Sequence, residues 1–137
     1  MQVSACPICD RGEPLDVIAE LESVWIAAAT TAPLPGYVRV VAKSHVEEPY
    51  ELRGEQGLLF WEEAMRVAEA VARTIVPEKM NYEIHGNTIR HLHMHLFPRM
   101  SGDPFEDRPI DAGHLEFSRT AAELEALADA IRRFRRS

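Results

Sequence analysis

A chain of 137 residues, 46% hydrophobic and 27% charged, has the make-up of one globular domain, residues 1–137, and is long enough to bury roughly two thirds of its unfolded surface. A net charge of −7 without a basic stripe argues against nucleic-acid binding, which needs Lys and Arg to displace counterions from phosphates. No apolar run approaches bilayer length, so no membrane partner is expected. The start, Met1 to Cys6, has neither a charged n-region nor an apolar h-region, which predicts a cytoplasmic protein.

Val24 to Ala28 is short, apolar and β-leaning, and Gly36 to Ala42 is a second strand after the turn chemistry of Pro33-Leu34-Pro35-Gly36. The simplest pairing of the two is antiparallel. From Gly54 to Val76, Leu58, Trp61, Met65, Ala68, Ala72 and Ile75 recur at three- and four-residue steps, predicting one core-facing stripe on a long helix that Pro77 ends. Met80 to Ile84 and His91 to Phe97 read as further strands, separated by the Gly86-Asn87-Thr88 loop. Arg99 to Ser118, with scattered Pro, Gly and Asp, reads as a long surface loop. A final helix begins at Thr120, with Glu123 completing a capping box and Leu124, Leu127, Ala128 and Ile131 on one side. The run Arg132-Arg133-Phe134-Arg135-Arg136 then supplies favourable charge at that helix's end.

The strand from His91 carries the chemistry. Its sequence His91-Leu92-His93-Met94-His95-Leu96-Phe97 places a histidine at every second residue, and period-2 geometry puts three imidazoles on one face, about 6.5 Å apart. One phosphate, or one metal with its ligands, spans that distance. Solvent-facing strand positions are usually Thr, Lys, Glu or Ser, so three histidines in a row mark a site. An imidazole with an ordinary pKa of about 6.5 is largely neutral near pH 7, and its free nitrogen can attack phosphorus.

Cys6-Pro7-Ile8-Cys9 is the one cysteine pair, with a spacing that lets both thiolates reach one ion. A thioredoxin-like redox pair would follow an apolar strand, and none precedes Cys6. A closed zinc site needs two more ligands, and His45, after the second strand, and His91 are the favoured pair. Two reduced, buried cysteines without metal remain the alternative.

The seven residues from His91 to Phe97 resemble the motif His-φ-His-φ-His-φ-φ, with φ apolar, of the histidine triad (HIT) superfamily of nucleotide hydrolases and transferases. Pro35 to His45 resembles that family's Pro-Gly-His strand and Lys-x-His segment, and Gly86 to Arg90 its Gly-Gln-Ser/Thr stretch. The similarity runs from about Cys6 to Arg99. It implies an α+β, HIT-like fold: a mainly antiparallel sheet, a long helix packed on it and a C-terminal helix. It also implies zinc on Cys6, Cys9, His45 and His91, and a homodimer.

By the same resemblance His93 attacks the α-phosphorus of a nucleotide, forming a nucleotidyl-histidine that water resolves, and His95 donates to the phosphoryl oxygens. Asn87 and Thr88 would hydrogen-bond the phosphate, with Asn81 a further candidate for the same oxygens. The implied substrates are phosphoanhydrides or phosphoramidates, dinucleoside polyphosphates among them. The chain departs from the family pattern in two places. Ala28-Ala29-Thr30-Thr31-Ala32 stands where relatives carry an Asp or Asn for the ribose hydroxyls, and Tyr37 replaces a histidine, which reads as packing. The first departure keeps open a second class, a nucleotide-binding or interaction module without catalysis. His85 and His114 read as loop residues, and Trp25 as core.

Overall fold

Alternation along the central strands decides the architecture. The computed structural model describes residues 6–111 and 113–137; the leader reading of Met1 to Ala5 lies outside the described residues. The elements in chain order are α1 (Pro7–Arg11), β1 (Val17–Glu20), β2 (Val24–Ala27), β3 (Thr31–Ala32), β4 (Val38–Ala42), a 3-10 turn (Pro49–Glu51), α2 (Gly54–Ile75), β5 (Lys79–Ile84), β6 (His93–Arg99), β7 (Phe117–Ser118) and α3 (Ala121–Arg133). Five strands form one antiparallel sheet in the order β1-β2-β4-β6-β5, and β3 pairs with β7 in a separate ribbon. This is the expected mixed α+β arrangement.

Even-numbered side chains of the central strands, Val24, Ile26, Val38, Val40, Met94 and Leu96, form the main core with α2 and α3. Odd-numbered ones face the other way, and that face is covered only at its ends. Cys6, Ile8 and Val41 with Trp25 and Ile89 make one small apolar cluster. Leu34, Phe97 and Phe105 with Tyr37 and Ile110 make the other. His93 and His95 lie along β6 between them. Among the described residues no helix is long and apolar enough to cross a membrane.

The long helix runs as expected, and Met65, Ala68, Ala72 and Ile75 of the stripe read from the sequence pack on the core, but the docked face turns away from the N-terminal end of that stripe. Phe60, Ala64, Val67, Ala68 and Val71 are buried, whereas Leu58 and Trp61 are 74% and 54% exposed. Two apolar stripes about one residue apart overlap on this helix, and periodicity shows that a face is apolar without choosing between neighbours. The buried face even includes Glu63. Its carboxylate accepts from the Ser23 N–H (2.7 Å), the Ser23 hydroxyl (2.6 Å) and the Glu22 N–H (3.0 Å), which satisfies it and fixes the β1–β2 turn.

The terminal helix follows its sequence signals. Thr120 accepts from the Glu123 N–H (3.0 Å), Glu123 accepts from the Thr120 N–H (2.9 Å), and Leu124, Leu127, Ala128 and Ile131 are buried. The segment from Arg99 to Ser118 is, among its described residues, a largely exposed loop as expected, anchored by buried Arg99, Asp103 and Phe105 and ending in β7. Buried Arg99 pairs with Asp103 (2.9 Å) and also donates to the Asn81 side chain and to the Arg108 and Glu106 carbonyls. Those bonds hold Phe105 over Phe97. Two short elements, α1 and β1, carry too little pattern to be read from sequence alone. At the Pro35-Gly36 turn, Gly36 has φ 78°, and a Cβ there would lie 2.5 Å from Ile75. Only glycine lets the turn approach the end of α2 and bring Tyr37 onto the histidine face.

Candidate functional site

The triad strand starts two residues later than expected, at His93, so its three rings do two jobs. His91 is 1% exposed and turns towards the cysteine pair. Cys6 caps α1, with the Cys9 N–H directed at its sulfur (3.4 Å). The His91 Nδ1 lies 3.5 Å from Cys6 Sγ, 3.7 Å from Cys9 Sγ and 3.1 Å from His45 Nδ1; His45 Nδ1 lies 3.3 Å from Cys9 Sγ. All four ligand atoms fall within 4.8 Å of one another. A tetrahedral ion about 2.3 Å from sulfur and 2.0–2.1 Å from nitrogen spaces its donors by roughly 3.3 to 3.8 Å, and the cluster matches that scale. The His91 Nε2–H donates to the Ala42 carbonyl (2.7 Å), which leaves Nδ1 with a lone pair directed at the sulfurs. Burial holds this ring below the usual histidine range, so it stays neutral, as a metal ligand must. The cluster can hold a metal.

The other two rings share a cavity of about 510 Å³ lined by, among others, Ala29, Thr31, Arg39, Asn87, Thr88 and His85. Their centroids are 5.0 Å apart and their planes are inclined at 73°. Each ring is fixed by a different partner. The His93 Nδ1–H donates to the His91 carbonyl (2.6 Å), leaving the Nε2 lone pair free. At His95 the roles reverse: the Tyr37 hydroxyl lies 2.7 Å from Nδ1. Burial pushes the Tyr37 phenol up to about 12, so it keeps its proton and donates it. Burial, with His93, Arg39 and His85 nearby, pushes His95 down to about 4. His95 is therefore neutral with its proton on Nε2. Tyr37 also lies parallel to the Phe97 ring at 4.7 Å. It is more than packing, and its aromatic hydroxyl beside a sequence-distant histidine gave no linear signal.

The remaining expected residues divide. Asn87 and Thr88 are exposed and line the cavity beside His93 and His95. Asn81 does not reach it: its side chain accepts from Arg99 (2.8 Å), and it borders a separate hollow with Lys79 and Glu78. His85, read as a loop residue, does line the cavity, with Nε2 2.9 Å from Glu83. His114 lies outside it, 3.4 Å from Glu116. Trp25 is half-buried against the cysteine end of the sheet. Arg39, missed in the sequence because it looks like an ordinary exposed strand residue, pairs in register with His95 on one side and Ala27 on the other. From the Arg99–Ser118 segment, Leu115 reaches the cavity wall.

Residues 11–102 match the family model described as the HIT domain. The chain is 27% identical over 106 residues to Protein hit of Bacillus subtilis (strain 168), covering 73% of each protein. Among solved structures it resembles a histidine triad protein from Bradyrhizobium japonicum (TM-score 0.76, 24% identity, 85% of this chain and 87% of that one). It also resembles a zinc-bound histidine triad family protein from Mycobacterium smegmatis (TM-score 0.67, 20% identity, 93% and 94%). A third is a hypothetical histidine triad nucleotide-binding protein from Sulfolobus tokodaii (TM-score 0.62, 20% identity, 93% and 87%). With its triad strand, its sheet and the matched region all in agreement, the chain belongs to the histidine triad (HIT) family.

Proposed function

We propose that this protein is a nucleotide hydrolase or nucleotidyl transferase that cleaves a phosphoanhydride or phosphoramidate at the α-phosphorus. The observation that carries the reading is the opposed protonation of two rings in one cavity: His93 presents a bare Nε2 and His95 presents an Nε2–H. The His93 Nε2 forms a bond to phosphorus while the bond to the departing group breaks, and that group leaves with the bonding pair and takes a proton from solvent. Water then adds to the same phosphorus and gives up a proton to solvent while the phosphorus–Nε2 bond breaks, its pair returning to His93, and the nucleoside monophosphate is released. Throughout, the His95 Nε2–H hydrogen-bonds the phosphoryl oxygens, whose charge grows in the transition state. Asn87 and Thr88, on the loop beside both rings, add further donors to those oxygens.

Tyr37 is the positioning residue for His95. Tyr37→Phe frees Nδ1 and lets the ring exchange tautomers, so kcat should fall about tenfold, near 1.4 kcal/mol of transition-state stabilisation, with KM little changed. Nitrogen-15 shifts of the His95 ring should move towards a mixed tautomer; an unchanged pure Nε2–H signal would remove the role.

Zinc fits the Cys6, Cys9, His45 and His91 set by donor chemistry and spacing, and a zinc-bound histidine triad protein shares the fold. When bound, the metal would fix the ends of α1, β4 and β6 together. It would also immobilise His91, whose carbonyl orients His93. A homodimer is supported by exposed Leu58 and Trp61 on α2 and by edge strand β5, which shows Tyr82 and Ile84 to solvent. The reading places the protein in the cytoplasm.

Incubation with dinucleoside polyphosphates and nucleoside phosphoramidates of adenine and guanine tests the activity. Turnover to the nucleoside monophosphate is the expected result. Saturable binding with no product over hours would establish instead a nucleotide-binding module, the reading that Ala29 in the cavity wall favours.

A further inference from the structure

Three arginines serve the histidine face, and two are fully engaged. Arg99 is saturated by Asp103, Asn81 and two carbonyls. Arg119 donates to the Ala29 carbonyl (3.0 and 2.8 Å) and the Tyr37 carbonyl (2.8 Å). Arg39 differs. It is half-buried and lines the cavity, yet among the described residues its guanidinium makes one long contact, to the Leu15 carbonyl at 3.5 Å, and no ion pair. A guanidinium that lines a cavity without a carboxylate partner is free to take an anion there, and its fork matches phosphate oxygens.

The surroundings say where that anion sits. Arg39 lies between His95 on β6 and Ala27 on β2, so it serves the β2 side of the cavity. The wall there is built from Ala29, Thr31 and Leu115, which add no negative charge. Among the described residues two acids stand near: Glu83, across His95 on β5, is engaged by His85, and Asp16 follows the Leu15 whose carbonyl Arg39 contacts, yet neither lies within ion-pair distance of Arg39. The small side chain of Ala29 forms part of the cavity wall beside the end of β2. A neutral sugar diol would find one hydroxyl there, that of Thr31, and a cation with nothing to bind.

We propose that Arg39 is the receptor for a second phosphate group of the substrate, apart from the phosphorus atom that His93 attacks. The inference rests on the nucleotide reading of the site and names its substrate class: a nucleotide bearing two phosphates. The second group comes either from the phosphate chain or from the sugar.

Calorimetric titration of the zinc-loaded full chain separates the cases with three ligands: adenosine 5′-monophosphate, the α,β-methylene analogue of adenosine diphosphate, and adenosine 3′,5′-bisphosphate, each repeated with guanosine. Wild type should bind one of the two-phosphate ligands at least tenfold more tightly than the monophosphate, and which one identifies the source. In Arg39→Leu that ratio should collapse to about one, in Arg39→Lys it should be partly kept, and added salt should shrink it in wild type. Arg39→Gln, close to Arg in length, repeats the test should the leucine variant fold poorly by circular dichroism. Equal wild-type affinities for all three ligands, or a ratio that survives in the leucine and glutamine variants, would overturn the proposal. Failure of even the monophosphates to bind wild type would instead sink the nucleotide reading itself, and this inference with it.

Discussion

Replacing His93 with alanine is expected to abolish covalent capture of the nucleotide and to lower turnover by roughly a thousandfold or more. In wild type, alkaline denaturing quench during turnover of an α-labelled substrate should trap label on one histidine, because the phosphorus–nitrogen bond survives base and not acid, and peptide mapping at alkaline pH should place it on His93. The variant should carry none. The size of the loss follows from chemistry: the neighbouring triad ring offers no substitute nitrogen, because the Nδ1 of His95 is occupied by the Tyr37 hydroxyl and its Nε2 carries the proton. Fold and metal content should survive, since His93 contributes one hydrogen bond, to the His91 carbonyl, and lies outside the four-ligand cluster. Turnover near the wild-type rate in His93→Ala would remove it as the nucleophile. His95→Ala should be milder in capture yet slower in turnover, because it deletes a donor to the phosphoryl oxygens and not the attacking atom.

Metal removal should have the second-largest effect, and mainly on stability. Protein purified without chelator or affinity metal is expected to contain about one zinc per chain by elemental analysis. Stripping it should lower the unfolding midpoint by roughly 10 °C or more, the size expected when several kcal/mol of binding energy to the native state are lost. Four groups from three separate segments converge here: Cys6 and Cys9 at α1, His45 after β4 and His91 before β6. The His45 and His91 segments are also joined by β4–β6 pairing, but without the ion α1 is held to them mainly by the small Cys6, Ile8 and Val41 cluster. Turnover should fall too, and recover on zinc addition, because His91 links the cluster to the His93 ring through its carbonyl. Cys6→Ser with full zinc occupancy would contradict this ligand set, and a wild-type protein free of zinc would leave the cysteines as a reduced pair.

Much of the site was legible because the signals were local. His91, His93 and His95 alternate, Cys6 and Cys9 are three residues apart, and Thr120 with Glu123 states a helix start. Other features depended on residues far apart in the chain. Tyr37 meets His95 across 58 positions, and Asn81 is drawn away by Arg99, 18 residues later. His85 is the exposed loop residue it was read as, and only the pairing of β5 with β6 brings that loop to the cavity rim. The stripe read on α2 packs on the core from Met65 to Ile75 but leaves Leu58 and Trp61 exposed, because a regular pattern does not say how far along the helix the sheet reaches.

By itself, then, the sequence determined the family, the sheet-and-helix composition, the four residues able to hold a metal and the two histidines available for chemistry, because each is written in spacing that one strand or one turn converts directly into geometry. Tertiary structure alone decided which nitrogen of each of the two remaining triad rings carries its proton, that Tyr37 positions one of them, and that Arg39 stands over the β2 side of the cavity. Those outcomes are set by hydrogen bonds and strand register between segments that touch only once the sheet has closed.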